Sequence, residues 1–379
     1  MVHSGQGETM SIGNLAQVTS WQEPTLAADP QRERIVAAQA GLIVHGGEQL
    51  NCETPPASLG AGLTPTAQFY RRNHFAVPLL DEARWRLGVS GLVDQEMSLS
   101  LHELTQLPAE TMVVTMECAG NDRVRFERPA SGVQWGPGAV GTAEWTGPRL
   151  EDVLRRAGIR PGAREVIFSG ADSGSVEGSA EPIRFERSLS VADALESGAL
   201  LAYAMNGRPL PARHGYPLRL VVPGWYGMAS VKWLTDVQVT GESFRGYFQD
   251  THYVYERGGR REPVRLMQVR ALITRPATGQ ELASGAVAVR GVAWSGAAPI
   301  DRVDVSVARG RWQKARLIGT ADTCGWQQWE FLAAGLHPGE TVIRARATDM
   351  VGQAQSEQPE WNRLGYAANF IHEVRVVLR

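Results

Sequence analysis

Cys118 closes a run with strand character, Thr111-Met112-Val113-Val114-Thr115-Met116, and is followed by Ala119, Gly120, Asn121, Asp122, Arg123 and Arg125. A lone cysteine is most often a small buried hydrophobe. Three features set this one apart. It stands where a strand gives way to a loop, a common place for functional side chains. Ala119 and Gly120 leave the backbone open to close approach by a large group. Arg123 and Arg125 would favour a thiolate over a thiol, and a thiolate is a nucleophile or a metal ligand.

Two further segments concentrate charge in unusual places. "FYRRNHFAVP", Phe69 to Pro78, sets Arg71, Arg72, Asn73 and His74 ahead of a short apolar run. Alone, it reads best as a solvated loop before a strand. "PARHGYPLRLVVPGWYGMASVKW", Pro211 to Trp233, places His214, Arg219 and Lys232 at the edges of two apolar segments. Cations that interrupt strands this apolar lie near the interior and need anionic partners. Carboxylates are few here, so an anionic ligand is a reasonable partner. Together the three segments suggest an anionic cofactor held by Arg and His, with a cysteine sulfur reaching a metal. A soft thiolate suits a centre that changes oxidation state.

The rest of the chain narrows the choices. With 379 residues, 43% hydrophobic and 21% charged, it is long enough for two domains. Its net charge of -2 provides no global basic field for nucleic acid or anionic lipid. Three widely spaced cysteines, Cys52, Cys118 and Cys324, with no CxxC, argue against a disulfide framework or a structural zinc site. No CxxCH predicts no covalently attached haem. No GxGxxG follows a strand and no GxxxxGK[ST] occurs, so dinucleotide and P-loop binding are unsupported. No apolar run approaches the length of a membrane span. The N-terminus lacks a secretory pattern, so a cytoplasmic location is expected, or a periplasmic one if the chain is processed.

The elements that must position these residues follow from periodicity. Residues 1–40 read as a loose polar arm. Residues 41–262 alternate short strands ("WRLGVSGLV", "MVVTME", "REVIFSG", "YPLRLVVPG", "VKWLTDVQV") with helices. Ser100 and Glu103 have capping-box spacing. Leu150, Val153, Leu154 and Ala157 give the clearest helical stripe, and Ser190 opens another helix. In residues 263–379 helical patterns vanish and strands recur between Gly, Pro and Asp turns: "VRLMQVRALI", "AVAVRGVAW", "IDRVDVSV", "WQQWEFLA", "TVIRARATD" and "HEVRVVLR". That texture predicts an immunoglobulin-like β-sandwich. Its five tryptophans exceed what a sandwich core needs, and the surplus suggests an interface.

"CAGN" after a strand, "RNH" upstream, "GTAEWTGPRLEDVL", "LLAYAMNGRPLPARHGYPLRLVVPGWYGMASVKWL" and the late "WNRLGYAANFIHEVRV" together resemble the sulfite oxidase family of molybdenum enzymes, which includes assimilatory nitrate reductases. The resemblance runs from about residue 50 to the C-terminus. It implies an α+β molybdopterin-binding domain followed by an all-β immunoglobulin-like dimerisation domain. It implies one molybdenum per chain, held by one molybdopterin and by Cys118. By similarity, cofactor contacts fall at Tyr70, Arg71, Arg72, Asn73, His74, Asp172, His214, Arg219, Ser230, Val231 and Lys232. Arg72 and Arg123 match the family's substrate-binding arginines, and Tyr253, in "GYFQDTHYVY", its active-site tyrosine.

The implied activity is oxidation of sulfite to sulfate, with electrons passed singly to a separate acceptor such as a cytochrome c or oxygen. A homodimer without haem in this chain is expected. Asp122 stands where many members carry a second basic residue, which lowers the expected positive charge of the anion pocket. Oxidation or reduction of another small oxyanion or sulfur compound, nitrate among them, is an alternative. A metal-free binding protein and a thiol hydrolase are others. The absence of haem and flavin domains weighs against nitrate reduction.

Overall fold

The computed structural model describes residues 30–46, 49–257, 260–319 and 324–379. The reading of the extreme N-terminus lies outside them. The first half is α+β and carries two main sheets. One runs in the order Met97–Leu99, Leu87–Gly91, Leu234–Thr240, Glu165–Gly174, Ile183–Ser190. Leu87–Gly91 and Leu234–Thr240 pair in parallel, and the other neighbours are antiparallel. The second sheet runs Arg208–Pro209, Ala204–Met205, Val140–Gly147, Glu110–Glu117. Its last pair is in unbroken register from Glu110↔Gly147 to Glu117↔Val140, which delivers Cys118 at a fixed height.

The helices follow the local signals. The Leu101–Thr105 helix has both halves of its capping box, with Glu103 N–H donating to Ser100 Oγ and Ser100 N–H to Glu103 Oε2. The Leu150–Ala157 helix buries its predicted stripe of Leu150, Val153, Leu154 and Ala157. Ser190 caps Val191–Glu196 by accepting from Asp193 N–H.

The polar arm needs a correction. Pro30–Gln39 is an α-helix, with Ala37 buried in a small cluster beside Leu42, Leu50 and Cys52. Its amphipathic pattern is too weak to announce it. What places it is charge: Glu33 lies 3.3 Å from Arg71 and 3.5 Å from Arg213. Two strands were also illegible as elements, Val140–Gly147 and Ile183–Ser190. In the second, Arg184, Glu186 and Arg187 obscure the alternation.

The C-terminal half is a sandwich containing each of the six strands expected from the sequence. One sheet runs Arg270–Arg275, Gly285–Trp294, Gln327–Leu336, Arg316–Ile318. The other runs Glu281–Leu282, His372–Leu378, Gly339–Asp349, Ile300–Val307, Gln313–Lys314. Val289, Val303, Val305, Trp329, Ile343, Ala345 and Val376 fill the space between them, the inward residues of alternating strands.

Three of the surplus tryptophans serve a contact within the chain. Trp294 donates to Glu117 Oε2 at 2.9 Å, Trp326 to Gly62 O at 3.0 Å and Trp361 to Arg128 O at 2.9 Å. Trp312 instead lies under Arg346 and Arg344. The largest apolar cluster therefore runs without a break from Leu87, Phe168 and Val237 to Leu272, Val292, Trp294 and Tyr366. Among the described residues no helix is long and apolar enough to cross a membrane.

Candidate active site

A cavity of about 670 Å³ opens where the Glu110–Glu117 strand ends. Cys118, Tyr70, Arg71, Arg72, Asn73, His74, Asp172, His214, Arg219, Ser230, Lys232 and Tyr253 all line it. Two expected residues do not. Val231 is fully buried, and its carbonyl accepts from Leu220 N–H. Arg123 is buried and outside the lining, with Cys118, Tyr366, Tyr253 and Arg72 in its electrostatic surroundings.

Cys118 is clasped by backbone. Its N–H donates to Ala139 O at 2.9 Å and its carbonyl accepts from Asn121 N–H at 2.9 Å. The sulfur accepts the Gly120 N–H. Burial raises the thiol pKa; Arg72, that N–H and Arg123 oppose it. The thiolate argument from neighbouring arginines is therefore corrected on two points. Desolvation outweighs the cations, so the net direction is upward although Arg72 and Arg123 favour the thiolate. Arg125 is also not one of those cations, since it pairs with Asp122 and donates to Ile371 O.

The opposite wall holds a directed chain. Arg72 Nη2 lies 3.1 Å from His74 Nδ1, and His74 Nε2 lies 2.7 Å from Tyr253 Oη. Arg72 can only donate, so Nδ1 accepts and the proton sits on Nε2. Burial and the nearby Arg72, His252 and Lys232 hold His74 well below its usual range, in keeping with a neutral ring. Tyr253 therefore receives a hydrogen bond from His74, and its own O–H is left to donate elsewhere. The segment bearing Arg72 is fixed by Asn51, which accepts Asn73 N–H at 2.8 Å.

Arg123 is packed by bare backbone. A Cβ at Gly120 would sit 2.4 Å from its Nη2, one at Gly132 2.5 Å from its Nη1, and one at Gly365 2.7 Å from its Cγ. A side chain at any of the three would displace Arg123, and the positive φ of Gly132 and Gly365 further favours glycine there. Nη1 donates to Val133 O at 2.9 Å, and the guanidinium lies over the Tyr366 ring.

Asp122 requires the second correction. It does not reach the cavity, and so does not dilute the pocket's charge. With φ of 64° it turns away, becomes fully buried and pairs with Arg270 at 2.7 Å. Asp is among the few side chains that tolerate this left-handed backbone.

Residues 74–248 match the oxidoreductase molybdopterin binding domain and residues 261–379 the Mo-co oxidoreductase dimerisation domain. The mitochondrial sulfite oxidase of Mus musculus is 35% identical over 393 residues, spanning 96% of this chain and 70% of that protein. The sulfite oxidase of Arabidopsis thaliana is 32% identical over 371 residues, spanning 89% and 94%. The chain belongs to the sulfite oxidase family. It is a molybdopterin-dependent oxidoreductase. A crystal structure of the sulfane dehydrogenase SoxCD from Paracoccus pantotrophus superimposes over 98% of this chain and 93% of that one, with a TM-score of 0.78 at 24% identity, which establishes the shared fold.

The cavity of this family member fits the anionic pterin. His214, Arg219, Lys232, Arg71 and Arg72 converge on it, and Asp172 is the one carboxylate in its wall. Arg219 Nε and Asp172 Oδ1 are buried without hydrogen-bond partners. Burial and the cations Arg219, Arg72 and Arg71 pull Lys232 well below its usual range, and burial pushes Asp172 up to about 6. An anion placed among these cations would restore the charge on Lys232. His214, itself held neutral by burial and by Arg71, Arg219 and Lys232, presents its ring to the same space.

Sequence reasoning missed the apolar floor, Phe69, Met116, Phe185 and Met228, which only the fold gathers. It also missed Arg187. This buried cation donates to Phe248 O, lies over the Tyr253 ring, and is lowered to about 10, chiefly by burial. No local signal marked it, because Arg184 and Glu186 share its strand and mask any apolar pattern.

Proposed function

We propose that this oxidoreductase converts sulfite and water to sulfate, two protons and two electrons, and passes the electrons singly to a separate acceptor such as a cytochrome c or oxygen. The observation that carries the reading is the Arg72–His74–Tyr253 chain on the cavity wall facing the Cys118 side. A small oxyanion needs fixed positive charge and an oriented donor. Arg72 supplies the charge, and His74 directs the Tyr253 hydroxyl toward the substrate by occupying its acceptor lone pair. Arg123, buried nearby, adds a second cation within electrostatic range of Cys118. Because Asp122 turns away to Arg270, it does not lower the positive charge of the pocket.

The bound cofactor would be held by Cys118 through sulfur and by His214, Arg219, Lys232 and Arg71 through charge. It would supply the oxygen-atom transfer and the two-electron exchange. Met116, Phe185 and Met228 limit water around the reacting group. A homodimer through residues 263–379 completes the reading, supported by the match to a dimerisation domain.

The test is turnover by purified holoenzyme with sulfite and an excess of cytochrome c or ferricyanide, alongside nitrate with a reduced viologen dye. Sulfite-dependent acceptor reduction is expected. Nitrate turnover without sulfite turnover would overturn the assignment.

A further inference from the structure

One guanidinium from the sandwich grips both ends of the Cys118 loop. Arg270 opens the Arg270–Arg275 strand and is 1% exposed. Its Nη2 meets Asp122 Oδ2 at 2.7 Å, its Nη1 lies 3.4 Å from Glu117 Oε1, and Nη1 also donates to Ala368 O at 3.1 Å. Glu117 immediately precedes Cys118, and Asp122 closes the turn after it. Trp294, paired with Arg270 across adjacent strands, donates to the other Glu117 oxygen at 2.9 Å. Asn121 ties Glu117 to the neighbouring strand, donating to Glu117 Oε1 at 2.9 Å and accepting Ala139 N–H at 2.9 Å. Ala367 N–H donates to Ala119 O at 2.9 Å from the same side.

Apolar side chains would fill this volume at no loss of stability, because two buried carboxylates and a buried guanidinium carry a desolvation cost that their attraction barely offsets. What such a cluster provides is direction. A planar fork that satisfies two carboxylates at once tolerates little displacement of either. The residue between them is the cysteine that faces the cavity.

We infer that Arg270 is a positioning residue for the Cys118 sulfur, so that the sandwich half completes the catalytic site of the same chain through Glu117 and Asp122. The inference rests on the reading of Cys118 as the metal's protein ligand. Asp122 is then the partner that Arg270 requires, which accounts for an acidic residue where a basic one was anticipated.

The test compares wild type with Arg270→Gln, Arg270→Lys and Arg270→Gln/Asp122→Asn holoenzymes, with Cys118→Ser as control. The readouts are the visible thiolate-to-metal absorption band, molybdenum content after gel filtration, and kcat and KM for sulfite. Arg270→Gln is expected to shift and broaden the band, to halve metal retention or worse, and to lower kcat about tenfold with KM within twofold. The double variant, which leaves no unmatched Asp122 charge, is expected to recover part of the band. Arg270→Lys keeps the charge but not the fork and is expected to show the same band shift, and it carries the test if Arg270→Gln does not fold. A wild-type band and kcat in a folded, loaded Arg270→Lys or Arg270→Gln protein would overturn the inference. An undiminished thiolate band in Cys118→Ser would instead overturn the ligand assignment beneath it.

Discussion

The Nε2 of His74 lies 2.7 Å from the hydroxyl of Tyr253, 179 residues along the chain, while Arg72 occupies the other ring nitrogen. The three groups fix one another's protons, and the end of the chain left free to donate is the Tyr253 O–H, in the cavity lining. Tyr253→Phe removes that donor and keeps the ring over Tyr366. Losing a hydrogen bond to a charged substrate costs roughly 1.5–3 kcal/mol, so kcat/KM for sulfite is expected to fall about ten- to a hundredfold. Steady-state kinetics of the variant would show this, and an unchanged kcat/KM would remove Tyr253 from the substrate's contacts.

Arg72→Gln should act on the same quantity by a different route. It removes the fixed charge and also the donor that pins His74 Nδ1. The expected loss in kcat/KM is again about ten- to a hundredfold, most of it in KM, and it should shrink at high salt as screening weakens the wild-type attraction. Kinetics at two ionic strengths check both statements.

Asp122→Arg is expected to impair the protein rather than to improve anion binding. The new cation would meet Arg270 and Arg125 in a fully buried position. Breaking a buried pair costs about 3–5 kcal/mol. Denaturant unfolding of the cofactor-free variant should show a loss of that size, together with reduced molybdenum content.

Cys118→Ser should keep the fold and lose the metal. The hydroxyl is smaller and accepts the same Gly120 N–H, but it is a harder and poorer ligand than thiolate. Circular dichroism close to wild type, with molybdenum falling well below about one per chain, is the expected pair of results.

Stability should also report on His372. Burial, with Arg270 and Arg125 nearby, drives its pKa down to about 3, and Nδ1 accepts from Ile273 N–H at 3.2 Å. An unfolded histidine titrates near 6.5, so the unfolded state gains a proton first as the pH falls. The contribution is fully present above pH ~6.5 and is lost progressively toward the folded pKa. Between pH 7 and pH 5 the loss is about 2 kcal/mol. The stability difference between wild type and His372→Asn should narrow by that amount over this interval in denaturant titrations.

Periodicity carried most of the fold. The stripe of Leu150, Val153, Leu154 and Ala157, the Ser100 and Ser190 caps and the sandwich alternation are local signals, and local structure obeys them. The Pro30–Gln39 helix was invisible because its position depends on Glu33 meeting Arg71 and Arg213, not on an apolar face. Asp122 was misjudged for a related reason. Proximity to Cys118 in sequence suggested proximity to the substrate, but a left-handed φ sends the side chain the other way, to a partner 148 residues distant. Arg125 was drawn the same way. A cation inside an apolar strand, Arg219, proved a better guide than Arg125 near a cysteine, whereas Arg187 was hidden among the other charges of its strand.

The three indoles that cross from one half of the chain to the other have a genetic consequence. Trp294, Trp326 and Trp361 each donate to an acceptor in the first half, and Leu272, Val292 and Tyr366 share its apolar cluster. A segment with its own two-sheet core would ordinarily be a cassette that lineages could shuffle or discard. Here its removal would strip the seam beneath Cys118 and expose apolar surface of the first half. Lesions at this seam, at Arg270 or Trp294, would then present as failures of metal insertion although they lie in the other half of the chain.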